Sequence, residues 1–387
     1  MKITYLTLII IIISCSLSAG CVSKLNNNEN DGSWELENDD WVLENSMNHI
    51  YIENNQFMVN GKRIWINGAN TPWDNWNDFG GTYNDSWWDS HFAELKAAGI
   101  NATRVWINCD GYGSVNIDNN GFVSGASAKH WSDLDKFFAT AERNKIYIMA
   151  TLLSFDHFDS AKRHYDRWRK MITNKAASQS FADNYTIPFV KRYRDNPWLW
   201  SIDIINEPDW IYEEEKCGRL SWDNISYFLA INAAAIRNHS NILVTVGFAF
   251  PKYNADGGGY HGNKASDSFL QRLFPNEKAS LHFWSPHYYD WVGEWYGIPF
   301  YSKPFGPRPA GWGLCDTKPA LIGESSARGS AGRTIIEDYE NAFMNGWQGV
   351  MAWTSNFVDD NGGLDRLSPG TLHMLNNYRQ YIFPHKN

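Results

Sequence analysis

Short apolar, β-branched runs alternate along the chain with stretches whose apolar positions repeat at helical spacing, the pattern of a parallel sheet wrapped by helices. Eight runs read as strands, at 64–68, 103–107, 146–152, 198–205, 242–247, 281–288, 320–324 and 349–354. Between them Trp88, Phe92 and Leu95 fall at offsets 0, 4 and 7, and Trp131, Leu134, Phe138 and Ala141 at 0, 3, 7 and 10. Each set lines one face of a helix. Ile225, Phe228, Leu229 and Ile236 repeat the stripe, while Ile336, Tyr339 and Phe343 follow a Thr334/Glu337 pair with capping-box spacing. Gly99 and Gly346 stand where helices stop. The alternation predicts an α/β fold, a single (β/α)8 barrel over 47–387, rather than an open doubly wound sheet, since no GxGxxG follows the first strand. The Pro-, Gly- and Trp-rich stretch 289–318 has no helical period and reads as a long loop replacing or preceding the sixth helix.

The N-terminal region breaks this pattern. Lys2 precedes an apolar run from Tyr5 to Ile13 and the small residues Ser16, Ser18, Ala19 and Gly20, so residues 1–20 read as an export signal. The run is far short of the ~20 residues that cross a bilayer. LSAGC at 17–21 resembles a bacterial lipoprotein box, which predicts lipidation of Cys21 and a membrane contact through that anchor alone. Leu17 stands four residues before the cysteine where the box has it three before, so cleavage and release stays open. Residues 21–46 read as a polar tether, because the Asn- and acid-rich run at 23–41 has little to bury. Cys109, Cys217 and Cys315 would then remain, enough for one disulfide at most and, without a CxxC pair, no structural zinc site.

Charge and composition narrow the function. The 387 residues carry 34 Lys+Arg against 43 Asp+Glu, a net charge of −9, which offers no basic field for nucleic acid or another polyanion. Twenty Trp exceed what core filling needs and suit a wet binding groove.

Chemistry in such barrels sits at the carboxyl ends of the strands. There the fourth run passes straight into Asn206, Glu207 and Pro208, and the seventh into Gly323 and Glu324, which sets two glutamates on one rim. IINEPDW at 204–210, SPHYYDW at 285–291, ALIGESS at 320–326 and GVMAWTS at 349–355 together resemble glycoside hydrolase family 5, the cellulase and mannanase family of a larger barrel clan. The resemblance runs from about residue 50 to the end. It implies that Glu207 is the general acid/base and Glu324 the nucleophile of a retaining hydrolase, with Asn206 bonding the sugar 2-hydroxyl. It also implies Arg104 beside the nucleophile, His287 near the acid/base, Tyr289 with its hydroxyl near the nucleophile, and Trp353 as a platform under the sugar. Two positions depart from the family. Its third-strand histidine has only His157 as a counterpart, several residues past Leu153, and Glu324 is followed by Ser-Ser rather than an aromatic and Gly.

On this reading Glu207 is expected to titrate high, near a second carboxylate, and Glu324 to be kept low by Arg104 and Tyr289. Neither a metal nor an organic cofactor is required. Trp73, Trp76 and Phe79 in the first rim loop, with Trp106, Trp210, Trp291, Trp295 and Trp312, are candidate sugar platforms, and Asp74, Asp110, Asp156, Asp209 and Asp290 candidate hydroxyl partners or loop caps. The expected partner is a neutral β-linked polysaccharide or oligosaccharide, β-1,4-mannan ahead of β-1,4-glucan because TRVWINCDG at 103–111 is similar to family mannanases. A monomer is expected. The alternatives are an exo-acting β-glycosidase and a non-catalytic surface glycan-binding protein. A barrel aldolase or phosphate-ester enzyme ranks behind, lacking a strand-end Schiff-base Lys and a Gly-rich phosphate loop.

Overall fold

A computed structural model describes residues 47–256, 262–291, 308–360 and 362–384. The export signal, Cys21, the tether and Trp295 lie outside the described residues. Eight parallel strands form one sheet: β1 (Ile66–Asn70), β2 (Ala102–Trp106), β3 (Tyr147–Ser154), β4 (Leu199–Asn206), β5 (Leu243–Phe248), β6 (Ser285–Tyr288), β7 (Glu324–Ser325) and β8 (Gly349–Trp353). They neighbour one another in sequence order, β8 pairs with β1, and parallel bridges Ile322↔Val350 and Ser326↔Trp353 close the ring between β7 and β8. This is the (β/α)8 barrel expected from the alternation.

Helices Asp85–Ala97, Ala128–Asn144 and Trp222–His239 carry the predicted stripes, all buried except the half-buried Trp131. The capping box at Thr334 is formed, but the stripe of helix Ile335–Met344 is offset: Ile335, Tyr339 and Ala342 are buried, while Ile336 and Phe343 are half-buried. Gly99 and Gly346 take φ of 81° and 87° just past their helices, a left-handed turn that glycine enters without steric cost. Between β6 and β7 the described residues hold a short 3-10 turn at Pro309–Trp312. Cys109, Cys217 and Cys315 are all free thiols.

Two layers fill the barrel interior. Because side chains alternate along a strand, Ala102, Arg104 and Trp106 of β2 face inward while Val105 and Ile107 pack under the helices. The lower, amino-terminal layer is apolar: Ile66, Ala102, Met149, Trp200, Leu243, Phe283, Leu321 and Met351, drawn from all eight strand runs, form one cluster. An antiparallel meander (Tyr51–Glu53, Gln56–Val59, Lys62–Arg63) joins it, pressing Phe57 edge-on against Trp200 and Phe283 at 5.3 and 5.2 Å. Its turns are Asn54-Asn55 and Asn60-Gly61, all four residues at positive φ, which suits the twist of a two-residue hairpin turn. The upper layer is polar, and it is the floor of the candidate site.

Candidate active site

Arg104 is the hub of that layer. Fully buried, its guanidinium donates to Glu324 Oε1 at 2.6 Å, to Asp203 Oδ2 at 2.6 Å, to Asn206 Oδ1 at 2.7 Å and to Asn70 Oδ1 at 3.1 Å, and its face lies 4.3 Å from the Trp106 ring. Asn70 returns its amide hydrogens to the Gly323 and Met351 carbonyls, tying β1 to β7 and β8. Asp203 also accepts the Gly247 N–H at 2.9 Å. A charged residue so deep is tolerable only when every donor is matched, and Asn70 and Asp203 do much of that matching.

Glu324 leaves β7 with Oε1 on Arg104 and Oε2 accepting from the Tyr289 hydroxyl at 2.9 Å. Glu207 stands on the opposite side. Its φ of 49° is left-handed, an uncommon state for a non-glycine residue, and the following Pro208 opens helix Pro208–Glu213. The Glu207 N–H is pinned to the Gly247 carbonyl at 2.7 Å. Its carboxylate meets His287 Nδ1 at 2.8 Å through Oε1 and the Trp210 indole N–H at 2.8 Å through Oε2. His287 Nδ1 also lies 3.6 Å from Glu324 Oε1, while Nε2 is buried without a partner among the described residues. Placing the proton on Nδ1 serves both carboxylates and leaves only an acceptor orphaned.

Burial pushes Glu207 up to about 7, against the Trp210 bond and Arg104. Burial also raises Glu324, although His287 and Arg104 oppose it. The expectation that Glu324 would titrate low is therefore corrected, because desolvation outweighs the ion pair. His287 falls to about 4 through burial and is neutral. Burial beside Glu324 keeps the Tyr289 hydroxyl protonated.

Glu207, His287 and Glu324 each bring one donor atom to within 4.8 Å of the others, the kind of cluster that could ligate a cation. Both oxygens of each glutamate are already engaged, so an ion would compete with Arg104 or Tyr289 at Glu324 and with His287 or Trp210 at Glu207.

Above this floor opens a cavity of about 530 Å³ lined by Trp73, Trp76, Trp106, Trp291, Trp353, Phe155 and Tyr289 with Asn206, Glu207, Glu324, Asp156, Lys162 and Asp359. Trp73 meets Trp76, Trp106 and Trp353 edge-on at centroid distances of 4.7, 6.2 and 6.4 Å, so the indoles form a corner rather than a stack. With its oxygen on Arg104, Asn206 keeps its amide hydrogens for the cavity.

Several predicted residues sit elsewhere. His157 is fully buried, its Nδ1 on the Ser154 backbone and its ring against Trp168 at 4.7 Å; the residues of that turn lining the cavity are Phe155 and Asp156. Phe79 and Trp312 are core residues, packed on Trp88 and Phe137 and on Trp347. Asp110, Asp209 and Asp290 accept backbone N–H groups of Tyr112, Ala249 and Ala331, and Asp74 bonds Asn75. Asp156 was singled out in the sequence and does line the cavity, whereas Asn70, Phe155, Asp203, Lys162, Asp359 and Gly247 were not singled out. Asp203 alone had a signal there, as a lone charge inside the apolar run 198–205.

No protein-family model matches the chain. It is 28% identical over 352 residues to the mannan endo-1,4-beta-mannosidase of Mytilus edulis, covering 84% of this chain and 93% of that one. The X-ray structure of the β-mannanase from the same mussel superposes with a TM-score of 0.74 at 24% identity, covering 85% and 97%. A family 5 mannosidase from Rhizomucor miehei shares the fold at a TM-score of 0.53 and 14% identity, covering 87% and 100%. The chain has the (β/α)8-barrel fold and is similar over most of its length to glycoside hydrolases. Its resemblance is to family 5, as the strand-end motifs implied, and mannanases stand among its relatives.

Proposed function

We propose that the chain is a retaining endo-β-1,4-mannanase in which Glu324 attacks the anomeric carbon while Glu207 protonates the leaving oxygen, then activates the water that releases the glycosyl-enzyme. The observation that carries this reading is the closeness of the two carboxylates, one oxygen of each lying within 4.8 Å of one of the other's. Retaining pairs stand about 5–5.5 Å apart, whereas inverting pairs need roughly 6.5–9.5 Å to admit a water. The environments support the assignment of roles. Glu207, lifted to about 7 with no direct bond to Arg104, keeps a proton in part of the population at neutral pH, and Glu324, though raised by burial, lies on the guanidinium that favours its anion. Asn206 offers a donor to the sugar hydroxyl, Tyr289 steadies the nucleophile, and Trp353 with its indole neighbours supplies apolar faces for pyranose rings.

β-Mannan is favoured over β-glucan by the curated relative's activity. Reducing-sugar release from mannan, glucomannan, carboxymethyl-cellulose and xylan, by wild type beside Glu207→Ala and Glu324→Ala, tests the proposal. Mannan cleavage abolished in both variants and restored by azide in one would support it; silence on every substrate with glycan binding intact would overturn it. Export and anchoring through Cys21 belong to the same reading, and no helix of the described residues is long and apolar enough to cross a membrane. Unchanged membrane partition in Cys21→Ser would remove the anchor.

A further inference from the structure

Trp210 is expected from the sequence to be a sugar platform, yet it is absent from the lining of the catalytic cavity. Its indole is instead wedged between Phe250, 5.8 Å away at 72°, and Trp291, 5.6 Å away at 31°, with Nε1 aimed at Glu207 Oε2. The local chain explains the aim. Glu207 caps helix Pro208–Glu213, and Trp210 occupies its third position, where the Trp210 N–H also bonds the Glu207 carbonyl at 3.2 Å. One helical turn therefore carries both ends of the contact, and the fixed φ of Pro208 stiffens it.

We infer that Trp210 is a positioning residue for the acid/base, its indole N–H fixing the plane of the Glu207 carboxyl and leaving the transferable proton on the side turned to the cavity. The inference rests on the assignment of Glu207 proposed above. An indole N–H only donates, so the lone pair of Oε2 that faces Trp210 cannot carry the acidic proton. The lone pair of Oε1 that faces His287 is taken in the same way when Nδ1 bears hydrogen. With one oxygen held on each flank, the proton goes to a lone pair that neither ring covers, and the cavity is the open direction. A carboxylic acid without the second clamp could rotate about its last side-chain bond and present the proton to the wall.

The contact also sets when the proton leaves. The charged and titratable side chains that act on Glu207 are Arg104 from β2, Asp156 after β3, Asp203 from β4, Asp209 in its own helix, His287 and Tyr289 from β6 and the residues after it, and Glu324 from β7. The indole, like the neutral His287 ring, is an uncharged donor, but it has no acceptor or titrating state of its own, and it favours the carboxylate without adding a charge.

The test compares kcat and KM on mannan across pH for wild type and Trp210→Phe, which keeps a ring between Phe250 and Trp291. The alkaline limb is expected to move up by about one pH unit, with kcat down about tenfold and KM within about twofold. An unmoved limb with KM raised about tenfold would mean a sugar platform and overturn the inference. A second readout needs no Trp variant: in ¹⁵N-labelled wild type, one indole N–H resonance should titrate with the midpoint of the alkaline limb and cease to titrate in Glu207→Gln. Absence of such a resonance also overturns it. Mannan cleavage that survives in Glu207→Ala would sink the acid/base assignment instead, while the indole titration still reports on the contact.

Discussion

Arg104 and Asp203 are 2.6 Å apart with neither side chain exposed to solvent, and the same guanidinium is 2.6 Å from Glu324. One cation is thus shared between a carboxylate that is never presented to substrate and one that lines the cavity. Asp203→Asn turns an amide toward the guanidinium or forfeits the Gly247 bond. It should lower kcat/KM about 100-fold and cost about 3 kcal/mol, the scale for breaking a buried pair. Urea unfolding beside steady-state kinetics checks both; a variant that lost activity with stability intact would place Asp203 on the substrate.

The pH profile follows from the glutamates. With Glu207 near 7, kcat/KM should fall above about pH 7 as the acid is lost. Stability carries the same signature with a definite sign. Between the ordinary 4.5 and about 7 the folded chain holds a proton that the unfolded chain has released, so stability is full below 4.5 and declines as pH rises through 7. The decline from this group is on the order of 3 kcal/mol, and Glu207→Gln should remove it. Denaturant midpoints at pH 5 and pH 8 decide this: the Gln variant should lose less than wild type between them.

Gly247 is required for space. A Cβ there would stand 2.7 Å from His287 Nε2 and 2.8 Å from Arg104 Nη2, both in side chains without room to retreat. Gly247→Ala is expected to cost about 1–3 kcal/mol as overpacking and to reduce kcat more than KM. Activity within a few-fold of wild type would show that the Arg104 hub can shift.

Phe57, at the other end of the barrel, gives the converse separation. Fully buried on Trp200 and Phe283, it should cost about 3–5 kcal/mol when cut to Ala, with KM and kcat unaltered at a temperature where the variant is folded. Thermal unfolding and kinetics on the same preparation test that division.

The eight strands were legible because each is a continuous apolar run in a chain that elsewhere repeats at helical spacing. Their edges were less so. The run at 64–68 became a strand at Ile66–Asn70, and the seventh run holds its neighbours mostly by single bridges before Glu324. The meander went unread although Asn60-Gly61 is a strong turn pair, because strands of three, four and two residues are too short to show alternation. In the site, the rim position of Glu207, Glu324, His287, Tyr289 and Trp353 was written in strand-end motifs. Which indole would turn its face to the cavity and which its N–H to a carboxylate was not, because sequence spacing does not fix ring rotation. For the same reason nothing distinguished Gly247, which must be small, from a glycine that must turn.

Lys162 holds its ammonium 4.2 Å from the centroid of the Trp76 ring and 4.0 Å from Asp156 Oδ1. That face of the indole is therefore occupied before any polysaccharide arrives. A sugar that stacks there must first evict a cation from an aromatic surface, a contact worth about 0.5–2 kcal/mol, so occupancy at this edge of the groove becomes a competition whose outcome salt can tilt. If the substrate is the neutral polysaccharide proposed above, ionic strength then acts through the protein's own side chain, tightening or loosening one wall of the groove while the two glutamates remain as they are.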